Sequence, residues 1–412
     1  MSAAGPAWLG AAEAAALLNV SRATLYAYVS RGYVRSQAVP GSPRERAYAR
    51  HDLDTLRRRT EERRDPDKAA AHALQWGMPI LESSIALIDG RRLYYRGHDA
   101  VTLARSRSLQ DVASLIWTGM FDATFVDDRS DDRLANVGAA LQGRPQGRPS
   151  DLPFVGRAQA TLAIAAARDP IAVDCRPARA ARCGWRILRL LTDVATGSET
   201  PAKTIDRRLA ATWRVGSRGV DVLRSALILC ADHELNVSSF TARCVASAGS
   251  SPYAVVIAGL AALEGSRHGG ASARVESMLA AMRSERRLRN AIGARLQRGE
   301  ALDGFGHPLY AHGDPRATML LDLLRRTYAR SPELRFVQEF ADAARASVRE
   351  LPNLDFALAA LARVMRLPPG SPMTIFAIGR TIGWIGHAIE QYATGQLIRP
   401  RAKYVGVVPT VV

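Results

Sequence analysis

The feature that most limits the fold of this chain is the helical spacing of its apolar residues beyond Asp99. Apolar side chains recur three or four positions apart, for example over residues 275–282, which is the spacing of one helix face. Alanine, a strong helix former, is abundant in the same stretches. Residues 84–95 instead alternate around Asp89-Gly90, which indicates a β-hairpin. The sequence therefore predicts an all-α body with one short hairpin, and a loop over about residues 142–157.

The length and charge of the chain set broad limits. At roughly 100–200 residues per domain, 412 residues suggest two or three folding units. Lys and Arg outnumber Asp and Glu by 56 to 39, which gives a net charge of +17. Such a charge suits nucleic acid, the phosphates of CoA or a dicarboxylate. An arginine-rich solvated surface explains the same charge without any partner, and composition alone does not choose between the two.

The cysteines and apolar segments predict a soluble cytoplasmic protein. None of the four cysteines lies in a CxxC pair, so we expect reduced thiols and no metal site. The N-terminus lacks the basic start and apolar core of a signal peptide. No uncharged apolar run reaches ~18 residues. The candidate stretch, residues 374–389, is broken by Arg380 and His387, so we expect no membrane association.

One run in the C-terminal half, residues 304–316, joins a histidine to an arginine. It reads Gly-Phe-Gly-His-Pro-Leu-Tyr-Ala-His-Gly-Asp-Pro-Arg. His307 lies in a glycine-flanked turn, and Arg316 follows in the first turn of a predicted helix. Asp314 as N-cap and Pro315 at the first helical position account for the helix start alone. A polarising imidazole beside a carboxylate-binding guanidinium is what a site for a keto acid needs.

Three further polar groups contain candidate site residues, and each has a purely structural alternative. His233, in residues 231–236, lies either beside a cavity or at a helix end that reaches solvent. His268, among the glycines of residues 265–270, lies either where backbone approaches a ligand or in an ordinary turn. Asp355 opens a helix, where it either serves a site or caps the helix.

A fourth group lies on one face of a predicted apolar helix. Arg380, Trp384 and His387 are four and three residues apart, so they share that face. A buried guanidinium needs an anion, which is either a bound ligand or an ordinary ion-pair partner. Arg399 follows soon after in an Arg-Pro-Arg sequence.

The order and spacing of these motifs resemble the citrate synthase family. The motifs are His-Glu…Asn, His-Gly-Gly, Gly-Phe-Gly-His…Asp-Pro-Arg, Pro-Asn-Leu-Asp-Phe, Arg-Thr-Ile-Gly-Trp-Ile-Gly-His and Arg-Pro-Arg. The resemblance covers about residues 77–406 and is weak over about 121–215. It implies condensation of acetyl-CoA with oxaloacetate, followed by hydrolysis of the thioester.

The resemblance implies a role for each catalytic candidate. Asp355 falls where the family has the base that removes a proton from the thioester methyl group. His268 matches the residue that hydrogen-bonds the thioester oxygen as the enolate or enol forms, and His307 matches the one that polarises the oxaloacetate carbonyl. A thioester methyl group is a very weak acid, so base and oxyanion stabiliser must act together. A positioned base is worth roughly 10²–10⁴-fold in rate, and loss of one oxyanion donor costs roughly 10²–10³-fold.

The resemblance also implies how substrate is held. Arg316, Arg380 and Arg399 match the arginines that bind the carboxylates, and His233 matches a further oxaloacetate ligand. Guanidinium groups bind planar carboxylates with paired hydrogen bonds. In the family Arg399 is contributed across a two-fold interface, which implies a homodimer. The acyl-CoA is a substrate, and the resemblance implies no cofactor.

A large and a small helical domain follow from the same resemblance. Residues 66–270 and 371–412 are expected to form the large domain, and residues 271–370 the small domain, which closes over substrate and excludes water. Common family members carry basic residues near the positions of Pro308 and Ala311. The loss of these charges leaves the CoA affinity and the preferred acyl chain open.

Residues 1–65 are predicted to form a separate small unit with a linker. The stretch 14–26 resembles the helix-turn-helix of MerR-type and excisionase-type DNA-binding proteins, with Ser21 as the N-cap of the second helix. Residues 34–48 would form a two-stranded wing. The charged run at residues 61–68 is the predicted linker.

The resemblance places Arg22, Thr24 and Tyr26 in the major groove of DNA. A helical appendage without DNA contact is the alternative. The function predicted first is that of a citrate synthase, with 2-methylcitrate synthase using propionyl-CoA as the second. A DNA-binding regulator that senses a CoA or dicarboxylate ligand is the third. The presence of Asp355 and His268 favours an enzyme, since a sensor needs neither.

Overall fold

The computed structural model describes residues 8–39, 42–50, 52–54, 56–57, 81–121, 152–197, 204–285 and 287–407. The chain divides into two compact units, Met1–Glu82 and Ser83–Val412. The predicted linker at residues 61–68, and residues 142–151 of the predicted loop, lie outside the described residues.

The first unit combines two short helices with a three-stranded antiparallel sheet. Strand β1 (Trp8–Gly10) leads into α1 (Ala11–Leu18) and α2 (Arg22–Ser30), and a hairpin of β2 (Ser36–Val39) and β3 (Ser42–Ala49) follows. Strand β3 lies between β1 and β2 in the sheet. Strand β1 was not predicted, because three residues are too few to reveal an alternating pattern.

Local chemistry explains the boundary between α1 and α2. Asn19 ends α1 in the left-handed conformation, with φ of 51°, which asparagine adopts more readily than most residues. Ser21 then begins α2, because its Oγ accepts a hydrogen bond from the Thr24 N–H at 3.1 Å. Leu25 and Tyr48 are buried in the small core of this unit.

The second unit is helical apart from a small antiparallel sheet. Its strands β4 (Ala86–Ile88), β5 (Leu93–Tyr95) and β6 (His98–Asp99) are ordered β4-β5-β6. The Asp89 carboxylate accepts hydrogen bonds from two backbone N–H groups of the β4–β5 turn, at 3.0 and 2.7 Å, so the predicted hairpin is confirmed.

Among the described residues, none of the helices has the combined length and apolarity of a transmembrane segment. The helices are α3 (Ala100–Ser106), α4 (Leu109–Thr118), α5 (Phe154–Arg168), α6 (Pro177–Thr196), α7 (Ile205–Thr212), α8 (Ser217–Leu229), α9 (Val237–Ser247), α10 (Pro252–Leu263), α11 (Gly270–Met282), α12 (Leu288–Gln297), α13 (Pro315–Thr327), α14 (Pro332–Val348), α15 (Leu354–Met365) and α16 (Ser371–Thr394).

Helix α5 begins earlier than the sequence pattern predicted. The loop was expected to extend to about residue 157, but Phe154 is already helical. Phe154 and Val155 are both buried against the core, and that burial stabilises the first turn. Pro153 immediately precedes the helix, a position where proline breaks no intrahelical hydrogen bond.

Helix α16 passes through the interior of the second unit, and most of its residues are buried. A Cβ atom at Gly379 would lie 2.5 Å from the Leu227 carbonyl oxygen, and one at Gly383 would lie 2.4 Å from that of Ala231. Only glycine therefore allows the end of α8 to approach this closely. The Gly383 N–H donates to the Ala231 carbonyl at 2.9 Å. This contact fixes the end of α8 beside Arg380.

Candidate active site

The loop of residues 304–316 is held against the segment that precedes α15. The Gly306 N–H donates to the Leu351 carbonyl at 2.8 Å, and the side-chain amide of Asn353 donates to the Gly306 carbonyl at 3.0 Å. Gly306 has a φ of 75°, a conformation that favours glycine. The turn thereby places His307 close to the start of α15.

His307 is a neutral hydrogen-bond donor at pH 7. Its Nδ1 accepts a hydrogen bond from the Leu309 N–H at 3.2 Å, which assigns the ring proton to Nε2. Burial, followed by the charge of Arg316, lowers the pKa of His307 to about 4. The ring can therefore donate from Nε2 to a ligand oxygen without carrying a charge.

His233 lies just beyond the end of α8 and faces the same loop. Its ring is edge-on to that of His307, with centroids 5.0 Å apart, and its Nε2 lies 3.0 Å from the Tyr310 hydroxyl. His233 and the preceding Asp232 are both buried. The alternative that this polar group reaches solvent at a helix end is therefore wrong. Desolvation, followed by Arg316, lowers the pKa of His233 well below its usual value.

His268 precedes α11 and is anchored by Ser238 of α9. The Ser238 Oγ lies 2.8 Å from His268 Nε2 and 2.8 Å from Asn236 Oδ1, and it accepts from Trp384 Nε1 at 3.1 Å. The single hydroxyl proton serves either the histidine or the asparagine. When it serves His268, the ring proton lies on Nδ1. Burial, followed by Arg380, lowers the pKa of His268 to about 4.

Asp355 lies in the first turn of α15, but it is not the cap. Asn353 is the N-cap, since its Oδ1 accepts from the N–H groups of Asp355 and Phe356 at 3.0 and 3.4 Å. The alternative that Asp355 merely caps the helix is therefore wrong. Its carboxylate instead accepts a short hydrogen bond from the Ser272 hydroxyl of α11. Burial raises the pKa of Asp355, while Ser272 and Arg316 oppose that rise.

Arg316 is paired within the first turn of its own helix. Its Nε donates to Asp314 Oδ1 at 2.9 Å, and its Nη2 donates to Asp314 Oδ2 at 2.8 Å. Although burial opposes it, the charge of Asp314 raises the pKa of Arg316. Asp314 is the N-cap of α13, as predicted, and its Oδ2 also accepts from the Leu354 N–H at 3.1 Å. The pair therefore orients the guanidinium and joins the starts of α13 and α15.

Arg380 is a buried cation that forms no ion pair with the residues described. It is 1% exposed, and its Nε donates to the Cys230 carbonyl at 2.7 Å. Its Nη1 is buried and has no hydrogen-bond acceptor within the described part of the chain. The alternative of an ordinary ion pair is therefore not observed there. Burial lowers the pKa of Arg380, and an uncompensated buried charge costs several kcal/mol, which an anionic ligand would offset.

Asp232 contacts His387 and influences the charge of Arg380. His387 Nε2 lies 3.0 and 3.1 Å from the two Asp232 carboxylate oxygens, and both side chains are fully buried. The charge of Asp232 opposes the desolvation that lowers the pKa of Arg380. Of the three residues predicted to share a face of α16, Arg380 and Trp384 reach the histidine cluster, which consists of His233, His268 and His307. The third, His387, acts on that cluster through Asp232.

Four predicted site residues lie elsewhere. Arg399 is exposed beyond α16 and makes no hydrogen bond or ion pair with the residues described. Arg22, Thr24 and Tyr26 lie on α2 in the first unit. Arg22 and Tyr26 are exposed, whereas the Thr24 hydroxyl lies 2.9 Å from the Ser21 hydroxyl.

Two serines that contact the site, Ser238 and Ser272, are absent from the predicted set. Each lies on a helix, and its partner is 30 or 83 residues away along the chain. A small polar residue on a helix carries no pattern of its own, so periodicity does not reveal it. In the described ranges, no group of three or more His, Cys, Asp or Glu side chains is arranged to hold a metal ion.

Comparisons with known proteins identify relatives of the chain. The protein-family model "Citrate synthase, C-terminal domain" matches residues 73–401. Citrate synthase 2 of Bacillus subtilis is 37% identical over 190 residues, which is 45% of this chain and 51% of that relative. Putative citrate synthase 2 of Mycobacterium tuberculosis is 31% identical over 348 residues, 77% of this chain and 88% of the relative. The 2-methylcitrate synthase of Shewanella oneidensis is 29% identical over 361 residues, 78% and 91% of the two chains.

Solved structures agree with the fold. The citrate synthase of Thermotoga maritima has a TM-score of 0.67 at 27% identity, over 82% of this chain and 96% of the other. The citrate synthase of Thermoplasma acidophilum has a TM-score of 0.68 at 23% identity, over 81% and 96%. The latter is a ternary complex with carboxymethyl coenzyme A and oxaloacetate.

Proposed function

This chain belongs to the citrate synthase family and is an acyl-transferring enzyme that carries out a citrate synthase-type condensation, and we propose that its substrates are oxaloacetate and acetyl-CoA. The products are then citrate and free CoA. The observation that carries the proposal is Arg380, a buried guanidinium whose Nη1 has no acceptor in the described part of the chain. A dicarboxylate supplies the anion that this arginine lacks.

Oxaloacetate binding follows from the charges around the cluster. Asp314 occupies the Nε–Nη2 edge of Arg316, which leaves the Nη1 edge for a substrate carboxylate. Arg380 supplies a second guanidinium, while His233 and His307 contribute neutral donors. A doubly negative ligand then meets two fixed cations in a low-dielectric site, where such interactions are strongest.

The carbonyl of oxaloacetate is assigned to His307. Because Nδ1 accepts from the Leu309 N–H, Nε2 carries a proton that points to the carbonyl oxygen of the substrate. The depressed pKa keeps the ring neutral, so it polarises the carbonyl by donating a hydrogen bond. Removing such a donor costs roughly 10²–10³-fold in rate.

Asp355 is the base in this scheme, and His268 stabilises the enol. Asp355 removes a proton from the acetyl methyl group, and the electron pair moves to the thioester oxygen. His268 donates to that oxygen from Nδ1, which requires the Ser238 hydroxyl proton to serve Nε2. The enol carbon then attacks the oxaloacetate carbonyl. Water finally cleaves the thioester, and CoA leaves as the thiol.

The domain division and the dimer are part of the proposal. Residues 271–370 form a small domain that closes on a large domain of residues 66–270 and 371–412. A second copy supplies Arg399, which is exposed in a single chain. The segment around it also exposes large apolar side chains, as expected of a surface covered in a dimer; they are Leu397, Tyr404, Val405 and Val407.

Propionyl-CoA is the alternative acyl donor, and the similarity to a 2-methylcitrate synthase favours it. The test is release of CoA thiol from oxaloacetate with each thioester, measured in the full chain and in Asp355→Ala. Fast release that the variant abolishes supports the enzyme, and the ratio of the two rates identifies the substrate. A folded protein that releases no thiol from either thioester contradicts the proposal.

A second function is proposed for the first unit, as a winged helix-turn-helix that binds DNA. The observation that favours it is the exposure of Arg22 at the start of α2 and of Tyr26 in its middle, with the β2–β3 hairpin that would serve as the wing following in the same unit. We expect binding of duplex DNA to weaken with salt and to weaken strongly in Arg22→Ala/Tyr26→Ala. The control Arg31→Ala changes an exposed arginine at the other end of the same helix. Equal DNA binding by both variants contradicts the assignment.

A further inference from the structure

A cleft surrounded by arginines lies apart from the candidate active site. This open cleft has a volume of about 800 Å³, within the range of small-molecule sites. The start of α8, the end of α13, the start of α14 and the end of α15 form its walls, and none of the described residues that line it is acidic. The five arginines of this arginine cleft are Arg214, Arg218, Arg326, Arg330 and Arg366.

None of these five arginines forms an ion pair within the described part of the chain, and all five are exposed to solvent. Their neighbours behave differently. On α8, Arg224 pairs with Asp221 at 2.7 Å, and on α13 Arg325 pairs with Asp322. The same helices therefore neutralise the arginines that lie outside the cleft and leave those inside it uncompensated.

Helix dipoles explain only part of this arrangement. Arg326 and Arg366 lie at the C-terminal ends of α13 and α15, where a cation is favourable. Arg218 lies instead in the first turn of α8, where the dipole disfavours a cation, and Arg214 follows the end of α7. The N-cap of α8 is Gly216, which has no side chain to accept from the first N–H groups. This wall of the cleft therefore combines two cations with a helix N-terminus, a combination that attracts anions.

Two of the arginines also occupy positions that favour glycine. Arg214 and Arg366 have φ values of 56° and 55°, in the left-handed region that non-glycine residues adopt at a cost. Both follow helix ends, where glycine is the usual residue. The cleft floor includes Val364 and Met365, which are buried, so the charges stand over a low-dielectric surface that strengthens their interaction with an anion.

The arginine cleft is separate from the candidate active site, although the same helices reach both. Helices α13 and α15 begin at the site with Arg316 and Asp355 and end in the cleft, whereas α8 begins in the cleft and ends beside Arg380. At about 1.5 Å per residue, these helices of 12 or 13 residues separate the two places by roughly 20 Å. A small ligand in the cleft therefore does not touch the reacting atoms.

We propose that the arginine cleft binds a small polyphosphate at a site distinct from the acyl-CoA and oxaloacetate site. Planar guanidinium groups bind phosphate oxygens in pairs, and several of them around one concave surface fit a ligand with consecutive phosphates. The arginines approach from α8 on one side and from α13, α14 and α15 on the other. Such a ligand would therefore bridge these helices and neutralise the arginines that otherwise repel one another across the cleft.

The test uses the full chain and inorganic tripolyphosphate as the probe, with binding measured by calorimetry. The variant is Arg218→Ser/Arg330→Ser, which removes one arginine from each side of the cleft. The matched control is Arg168→Ser, which changes an exposed arginine in the last turn of α5. We expect one site per chain, affinity weakened about tenfold or more in the double variant, and affinity within about twofold of the original in the control.

Three results would overturn the proposal. The first is equal affinity in the double variant, given that its melting temperature and basal thiol release are unchanged. The second is displacement of the probe by saturating CoA to the same extent in the original chain and in the double variant, which would place the anion in the proposed acyl-CoA site. The third is binding of duplex DNA but not of tripolyphosphate, lost in the double variant, which would make the cleft a nucleic-acid surface. Calorimetry requires no turnover, so failure of this proposal is distinct from failure of the proposed enzymatic function.

Discussion

The carboxylate of Asp314 and the guanidinium of Arg316 are joined by two hydrogen bonds, of 2.9 and 2.8 Å, within the first turn of α13. The same carboxylate caps α13 and accepts from the first N–H of α15. One acidic side chain therefore starts a helix, neutralises a buried cation and positions a second helix. This arrangement fixes Arg316 before any substrate binds.

The first prediction concerns this pair. Asp314→Asn leaves Arg316 buried without a counter-charge, so we expect the free energy of unfolding to fall by about 3–5 kcal/mol. We also expect a higher KM for oxaloacetate, because the guanidinium loses its fixed orientation. Urea unfolding and thiol-release kinetics measure the two effects. Asp322→Asn is the control, since it breaks an exposed pair on the same helix and should cost at most about 1 kcal/mol.

The second prediction concerns the base. The Ser272 hydroxyl donates to Asp355 and lowers its pKa against the effect of burial. Ser272→Ala therefore raises the pKa of Asp355. Because the base must be ionised, the acid limb of the kcat/KM profile moves to higher pH, and at high pH the rate falls by less than about tenfold. Ser225→Ala removes another buried serine and should leave the limb in place. An unmoved limb in Ser272→Ala would show that the serine has only a packing role.

The third prediction uses the buried histidines. Burial lowers the pKa of His268 and His307 from 6.5 to about 4. Between these two pH values the rings therefore bind protons in the unfolded chain but stay neutral in the folded chain. The stability that the two neutral rings contribute is therefore present above pH 6.5. The free energy of unfolding falls by about 2–3 kcal/mol for each ring as the pH falls towards 4.

Urea unfolding between pH 7 and pH 4 tests this sign. The stability of His268→Gln/His307→Gln should fall less steeply with decreasing pH than that of the original chain. His312→Gln, which changes an exposed histidine of the same loop, should keep the original slope. A double variant with the original slope would mean that these rings titrate normally in the folded state.

Much of the fold could be predicted from the sequence because it follows from local patterns. Helical spacing identified the α-helical body, and the Asp89-Gly90 turn identified the hairpin. Asp314 was correctly predicted as a cap, because an Asp-Pro pair at a helix start is a local signature. The start of α5 was misplaced because burial of Phe154 and Val155 is a tertiary effect that overrides a proline-rich sequence.

The candidate site was predictable only where a residue type implied chemistry. His233, His268, His307 and Asp355 were predicted as candidates in this way, and the structure brings them into one region with Arg380. The choice between Asn353 and Asp355 as cap was not predictable, because it depends on the bond from Asn353 to the Gly306 carbonyl.

The last prediction compares two buried arginines that differ in their partners. Arg243 pairs with Glu390 and Gln391, whereas Arg380 lacks an anion among the described residues. Without ligand, Arg380→Met should raise the free energy of unfolding or leave it unchanged within about 1 kcal/mol. Loss of an unpaired buried charge offsets or outweighs loss of the donor to the Cys230 carbonyl. Arg243→Met should cost about 1–3 kcal/mol, because it removes a partner of Glu390.

Addition of oxaloacetate should make Arg380→Met the more strongly affected of the two variants. At a concentration of 100 times its Kd, a ligand that binds only the folded state stabilises it by about 2.7 kcal/mol. We expect Arg243→Met to retain that gain and Arg380→Met to lose most of it, because the anion that Arg380 requires is the substrate itself. Urea unfolding with and without oxaloacetate measures both variants. If Arg380→Met gains as much from oxaloacetate as the original chain, Arg380 does not bind the substrate, and the buried cation must be explained by its contact with Cys230 alone.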